Sequence, residues 1–238
     1  MSDVTWSLHG VSRKDPLRVS SVEEAIALVN ELGFLPCFRN AVSGFSLEER
    51  TCAEDWWTGN EDADPWEWRR LIAESGKAAY GKFFSGKAGF ISLEYLPLFI
   101  AFRRDCTDFD VRWEEGEAAW REKRIMDCFE QRPEWFACDL KAAAGFGKDG
   151  EKNFSGVMTG LEMKTYLCIR DFRQRLSKQM RPFGWHVSVY STPEEIFGEE
   201  TVRSAYGLGT DAARERVMTR LEELYPRSTE EERRKLLL

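Results

Sequence analysis

The densest store of reactive side chains in this 238-residue chain is Glu54–Trp68, EDWWTGNEDADPWEW. Asp55, Glu61, Asp62 and Asp64 are carboxylates that could act as acid and base or hold a cation. Trp56 and Trp57 could stack on a base or a sugar beside them. Asp55, Trp56 and Trp57 are therefore the candidate pocket. The competing reading is an acidic surface loop anchored by buried indoles, because tryptophans at this density usually pack. Carboxylates this close together also repel phosphate unless a metal intervenes.

Other nucleophiles and ligands are sparse. His9 falls in an N-terminal stretch that reads as a loose tail, so a histidine-based triad or metal site would rest on His186 alone. None of the six cysteines (Cys37, Cys52, Cys106, Cys128, Cys138, Cys168) stands in a CxxC pair. Several lie in apolar-periodic segments, where a thiol acts as a small buried hydrophobe. The run GKAAYGKFFSGKAG is glycine-spaced but lacks the GxxxxGK[ST] spacing of a phosphate loop, and reads as a hairpin. No catalytic residue, metal site or cofactor is assigned. The segment Met1–Arg18 is polar, with no hydrophobic signal core, and no apolar run is long enough to span a bilayer. The expectation is a cytoplasmic protein with no membrane partner.

The net charge is −7, which by itself argues against a polyanionic partner, but the charge is segregated. Residues 141–190 carry nine basic side chains against four acidic ones, and residues 76–104 carry five against one. The rest of the chain therefore holds −16. Such a distribution suits a molecule that sets one face on phosphate and turns the rest away. The plainer explanation is solvated hairpin edges whose lysines discourage edge-to-edge pairing.

The elements that would position these charges follow from caps and periodicity. Ser21 with Glu24 makes a capping box for a helix through Leu32, closed by Gly33. Asp64 and Pro65 open a second helix, ended by Gly76. Ala78–Phe84 and Lys87–Leu93 predict a hairpin around Ser85-Gly86. Tyr95–Arg103 has helical period, as do Glu114–Glu130, Trp135–Ala144 and Glu151–Thr165. Tyr166–Arg173 and Trp185–Tyr190 predict strands joined by a long basic tip over Gln174–Gly184. In the second strand Trp185, Val187 and Val189 should face one side, and His186, Ser188 and Tyr190 the other. Thr192-Pro193 caps a short helix. Two amphipathic helices meeting at Pro226 close the chain, the last one started by Ser228 and Glu231.

Helix, helix, then basic hairpin is the order of a winged helix-turn-helix. On the last of those helices, Lys152, Asn153, Ser155, Thr159, Glu162 and Met163 lie opposite the apolar face. There Lys152 could meet phosphate or guanine, and Asn153 adenine or phosphate. Gly156 and Gly160, four apart, permit close approach of a neighbouring helix or of a nucleic-acid backbone. The candidate nucleic-acid contacts are Lys148, Lys152, Asn153, Lys164, Arg170, Arg173, Arg175, Lys178 and Arg181, with Lys82 and Lys87 on the first hairpin.

Two blocks carry a family likeness: Lys87–Arg104, KAGFISLEYLPLFIAFRR, and Arg124–Tyr190, with DLKAAAG followed by KNFSGVMTGLEMKTYLCIRDFRQR. They resemble segments of the tandem winged-helix DNA glycosylases of the AlkZ/YcaQ type. The resemblance implies winged-helix units and a nucleic-acid role. Enzymes of that type place a glutamine, a hydrophobic residue and then a glutamine or aspartate on an N-terminal element. The corresponding stretch here, Leu32–Arg39 (LGFLPCFR), holds no Gln, Asp or Glu.

The expectation is thus an α+β, mostly helical protein built on winged helix-turn-helix units. It divides into residues 1–110 with a wing-like hairpin at 78–93, a winged-helix domain at 111–198, and a helical extension at 199–238. It should bind duplex DNA without glycosylase chemistry. The alternatives are a divergent glycosylase acting on alkylated bases and a protein-interaction module on the same scaffold. The oligomeric state stays open.

Overall fold

A computed structural model describes residues 8–237. Helix α1 (Val22–Leu32) starts where the Ser21 hydroxyl accepts the Glu24 N–H at 3.3 Å. The Glu24 carboxylate reaches back to the Ser20 N–H at 2.7 Å, so the box closes one residue earlier than predicted. Strand β1 (Phe34–Pro36) follows, then two 3-10 turns, Glu48–Arg50 and Ala53–Asp55. The stretch from residue 8 is held down: the His9 N–H donates to the Glu48 carboxylate at 2.9 Å and the Val11 N–H to the Thr51 carbonyl at 2.9 Å. That corrects the expectation of a loose tail, whose first seven residues lie outside the described chain.

Helix α2 (Pro65–Ser75) and the hairpin β2 (Ala78–Phe84) and β3 (Lys87–Ser92) form as predicted, with β3 between β1 and β2. Helix α3 (Leu96–Arg103) is buried on nearly every side. The single helix expected over Glu114–Glu130 is two: α4 (Phe109–Glu114) and α5 (Trp120–Gln131). Gly116 turns the chain at φ +76°, and Glu122 starts α5 by accepting the Ala119 N–H.

Trp135 was expected in a helix but lies in β4 (Glu134–Phe136), opposite Tyr190. Its indole N–H donates to the Cys128 carbonyl at 2.9 Å, which fixes the chain in extended form before α6 (Ala137–Ala143). Helix α7 is Phe154–Met163, three residues shorter at its start than predicted, because Asn153 takes φ +64° and ends the preceding loop. Strands β5 (Cys168–Leu176) and β6 (Pro182–Ser191) run much further out than the periodicity suggested, leaving a short turn at 177–181.

The remaining helices are α8 (Pro193–Phe197), capped by Thr192, α9 (Glu199–Arg203), α10 (Thr210–Leu224) and α11 (Glu230–Leu237). Thr229 with Glu232, rather than Ser228 with Glu231, makes the last capping pair.

The two sheets share one plan. A helix leads to a three-residue strand, then one helix in the first (α2) or two in the second (α6 and α7), and then a hairpin whose second strand sits in the middle of the sheet: β1-β3-β2 and β4-β6-β5. One hydrophobic cluster runs from Val19 to Leu237. The units meet where Tyr80 of β2 packs on Phe172 of β5, ring centres 5.9 Å apart, and where α7 lies on β2. Among the described residues no helix is long and apolar enough to cross a membrane.

Arg104 at the end of α3 is 1% exposed. Its guanidinium donates to the Thr165 carbonyl at 2.6 Å and to Glu194 at 2.5 Å, and lies 4.6 Å over the Tyr166 ring. It ties α3, the end of α7 and α8 together. Replacing it by alanine strands Glu194 and the Thr165 carbonyl. Urea unfolding of Arg104→Ala should show a loss of about 3–5 kcal/mol; a loss under ~1 kcal/mol contradicts this role.

Candidate nucleic-acid interface

The acidic tryptophan segment folds as a self-capped loop. Asp64 is fully buried; its carboxylate accepts the N–H of Trp57 and of Gly59 at 3.0 Å and that of Trp66 at 2.8 Å. This satisfies the α2 N-terminus and the loop in one stroke. Asp55 is engaged by Arg13 at 2.7 Å and Arg18 at 2.9 Å. Trp56 and Trp68 are buried, Trp57 is half-exposed at φ +60°, and Trp66 carries the Arg69 guanidinium 3.5 Å above its ring. Arg69 also lies 4.3 Å over Phe172, so this arginine, stacked on Trp66 of its own helix, braces α2 against β5. The candidate pocket of Asp55, Trp56 and Trp57 is thus occupied by the chain's own arginines and rings. Among the described residues no trio of His, Cys, Asp or Glu is placed to hold a metal ion.

Helix α7 is flanked on both sides. Lys82 of β2 donates its ammonium to the Thr159 hydroxyl at 3.2 Å and its backbone N–H to the Glu162 carboxylate at 2.9 Å. Gly160 faces Glu122 of α5, so the closely approaching partner there is a helix, while Gly156 makes room for the Asn153 side chain. Glu162, expected on the outward face, is fully buried, and its second oxygen has no hydrogen-bond partner. The cue was its spacing of four from the inward Met158, on a helix covered by β2 as well as by α5. On α7 only Ser155 and Gly156, in its first turn, are exposed; Val157, Thr159, Gly160 and Met163 are partly covered.

Ahead of that turn runs the 147–153 loop. The Lys152 ammonium caps the Gly147 and Lys148 carbonyls, Asn153 is exposed, and Lys148 points out with no partner among the described residues. The α7 N-cap contributes no side-chain hydrogen bond, leaving first-turn N–H groups available to an anion.

The two hairpins, similar in plan, differ in exposure. In the first, Phe83 and Phe84 are buried, the Ser85 hydroxyl meets the Lys235 carbonyl of α11, and Arg103 donates to the Phe83 carbonyl at 2.6 Å. Arg103 and Arg104, counted in the basic 76–104 block, therefore serve the interior. Of this block's candidates, Lys87 stays exposed and Lys82 is turned to α7.

The second hairpin leaves the core after Phe172. Along it Glu134 pairs with Arg170 at 3.3 Å and Arg173 at 2.6 Å, and Asp139 with Arg175 at 3.0 Å. Lys164 pairs with Glu122 at 2.7 Å. The hairpin, α2 and α6 bound an open cleft of about 660 Å³ that includes Arg70, Glu74, Asp171, Phe172 and His186. At the turn Lys178 and Arg181 are exposed, and neither meets a carboxylate among the described residues. Trp185, predicted to share a face with the buried Val189, is 91% exposed: residues 181–186 are exposed on both faces of the outer hairpin, and a register shift opposite Gln174 interrupts the alternation of β6.

Burial raises the Glu162 carboxyl from its ordinary 4.5 to about 7, against the lowering effects of the Lys82 N–H and ammonium and the Tyr190 phenol. Because the folded chain holds this proton more tightly than the unfolded one, its contribution is complete below about pH 4.5 and is lost as pH rises through 7. Thermal melts of Glu162→Gln across pH 4.5–8 should therefore lack a decline that wild type shows, of the order of 3 kcal/mol. Parallel profiles for the two proteins contradict a protonated buried Glu162.

A family profile described as AlkZ related matches residues 19–238 of the chain. No curated protein and no solved structure matches it.

Proposed function

The chain belongs to the AlkZ-related family, and from that premise we propose that it binds duplex DNA as a tandem winged-helix protein, without the base-excision chemistry of AlkZ-type glycosylases. The observation that carries the reading is the free, cation-tipped β5–β6 hairpin directly after α7. Within residues 111–198, the order α5, β4, α6, α7, β5, β6 and the sheet order β4-β6-β5 agree with a winged helix whose third helix is α7. Residues 22–92 repeat that plan, with β1-β3-β2 as the sheet and α2 in the place of α7.

In this reading the first unit acts as a platform and the second makes the contacts. With most of α7 covered, base reading is confined to Asn153 and Ser155, and sequence selectivity is weak. Lys148 and the α7 N-terminus take a phosphate. Lys178 and Arg181 take phosphates at the far end. The ion pairs of Arg170 and Arg173 with Glu134 and of Arg175 with Asp139 are 35–45% exposed at both partners, while Arg173 also meets the more buried Asp171 at 3.0 Å. Pairs that open are worth about 0–1 kcal/mol, so a polyanion can recruit these arginines as well.

The absence of excision chemistry rests on β1. Phe34 and Leu35 are fully buried and Cys37 is 4% exposed, so the strand where the resemblance places the catalytic motif presents only apolar side chains. The nearby Glu48 is consumed by the His9 and Arg39 N–H groups. No carboxylate or amide on this strand is free to orient an attacking water.

Fluorescence anisotropy with a labelled random-sequence duplex tests the reading. Binding in the range of about 1–100 μM at moderate salt is expected, with log K falling against log salt at a slope near −4 to −5. The double variant Lys178→Ala, Arg181→Ala should make that slope about two units shallower. Binding no tighter than about 100 μM at low salt, or a slope untouched by the double variant, contradicts it.

A further inference from the structure

The tip of the β5–β6 hairpin carries more than charge. Leu176 is 52% exposed, Met180 72%, Phe183 49% and Trp185 91%, the largest gathering of solvent-exposed apolar side chains on any single element described. Single exposed hydrophobes are ordinary; several on one free projection mark a contact surface. Neither Phe183 nor Trp185 stacks on another ring or lies under a cation among the described residues.

The backbone explains why Trp185 stands out. Arg173 pairs with Val187 and Arg175 with Phe183, so Gln174 alone faces the three residues Gly184, Trp185 and His186. Trp185 is the middle residue of that unmatched stretch of β6. Gly184 supplies the φ of +75° that the turn into the bulge requires. The Gln174 side-chain amide donates to the Gly184 carbonyl at 2.8 Å and holds the bulge in place. An indole presented this way is aimed at something outside the protein, since bulges redirect side chains. Lys178 and Arg181, at the turn of the same hairpin, meet no carboxylate among the described residues, and Arg175, paired with Asp139, lies opposite Phe183.

A flat, exposed indole on a hairpin whose turn carries unpaired cations fits a base that has left its own stack. Intact duplex buries its base faces and offers the tip only phosphates. Duplex with unpaired bases offers phosphate and a free π-face together. We infer that Trp185, seconded by Phe183 and Met180, is a stacking site for unpaired bases. The ligand it selects is duplex DNA interrupted by an unpaired stretch. This rests on the DNA-binding reading above and adds its substrate class. Charge sets the affinity for any duplex, and the bulge indole sets the preference for a disrupted one.

The test compares a labelled, fully paired duplex with the same duplex carrying a short central bubble, by anisotropy, for wild type, Trp185→Ala and Trp185→Phe. Wild type should prefer the bubble by about tenfold or more. Trp185→Ala should lose that preference while binding the paired duplex within about twofold of wild type, and Trp185→Phe should keep part of it. An unchanged melting temperature is expected for both variants, because the side chain is exposed. If wild type binds both duplexes equally, or Trp185→Ala keeps the preference, the stacking site is refuted while the DNA-binding reading stands. If wild type binds neither duplex, both fall. Tight Trp185-dependent binding to anionic lipid vesicles with none to the bubble also refutes it, and assigns the tip to a membrane surface.

Discussion

The contact on which the molecule depends is the seam between its two sheets. Tyr80 packs on Phe172, α7 lies across β2, and the Glu162 carboxylate takes the Lys82 N–H inside that seam. A buried carboxyl with one unpartnered oxygen is costly as an anion. It is tolerated here because its other oxygen fastens the second unit to the first. Arg104 closes the same joint from behind, bonding Thr165 at the end of α7 and Glu194 in α8. The position of α7 and the direction in which β5–β6 leaves the core both follow from this joint.

The joint also explains why two elements of the same plan have different surfaces. In the first unit the hairpin is pressed between α7 and α11, and its tip phenylalanines are core. In the second, the outer half of the hairpin is exposed along most of both strands, and its side chains are cations, polar groups and exposed aromatics. The acidic tryptophan loop belongs to the supporting side. Asp64 satisfies three backbone donors, and Arg69 between Trp66 and Phe172 braces α2 against β5.

Elements set by local rules were legible in the residues. Asp64-Pro65 opens α2, Ser85-Gly86 turns the first hairpin, Gly33 and Gly76 stop helices, and Thr192 caps α8. What escaped depends on partners distant in the chain. Trp135 carries helical spacing yet pairs with Tyr190 some fifty residues away. Glu162 reads as solvent-facing until β2 covers α7 from the other unit. The cations of residues 76–104 and 141–190 were visible as a sum, but not that Arg103 and Arg104 turn inward or that Glu134 and Asp139 meet the arginines of β5. Trp185 alternates with Val187 and Val189 on paper; only the strand register reveals the bulge that expels it.

In the proposed DNA-binding reading, the second unit meets DNA with its hairpin tip and the approach to α7, while the first unit supports it from behind. Hydrogen–deuterium exchange with and without saturating duplex tests this most directly. Added protection is expected in residues 147–156 and 176–187, and none in the 54–64 loop or along β1. Protection centred on the acidic loop, or confined to the C-terminal helices, would contradict it.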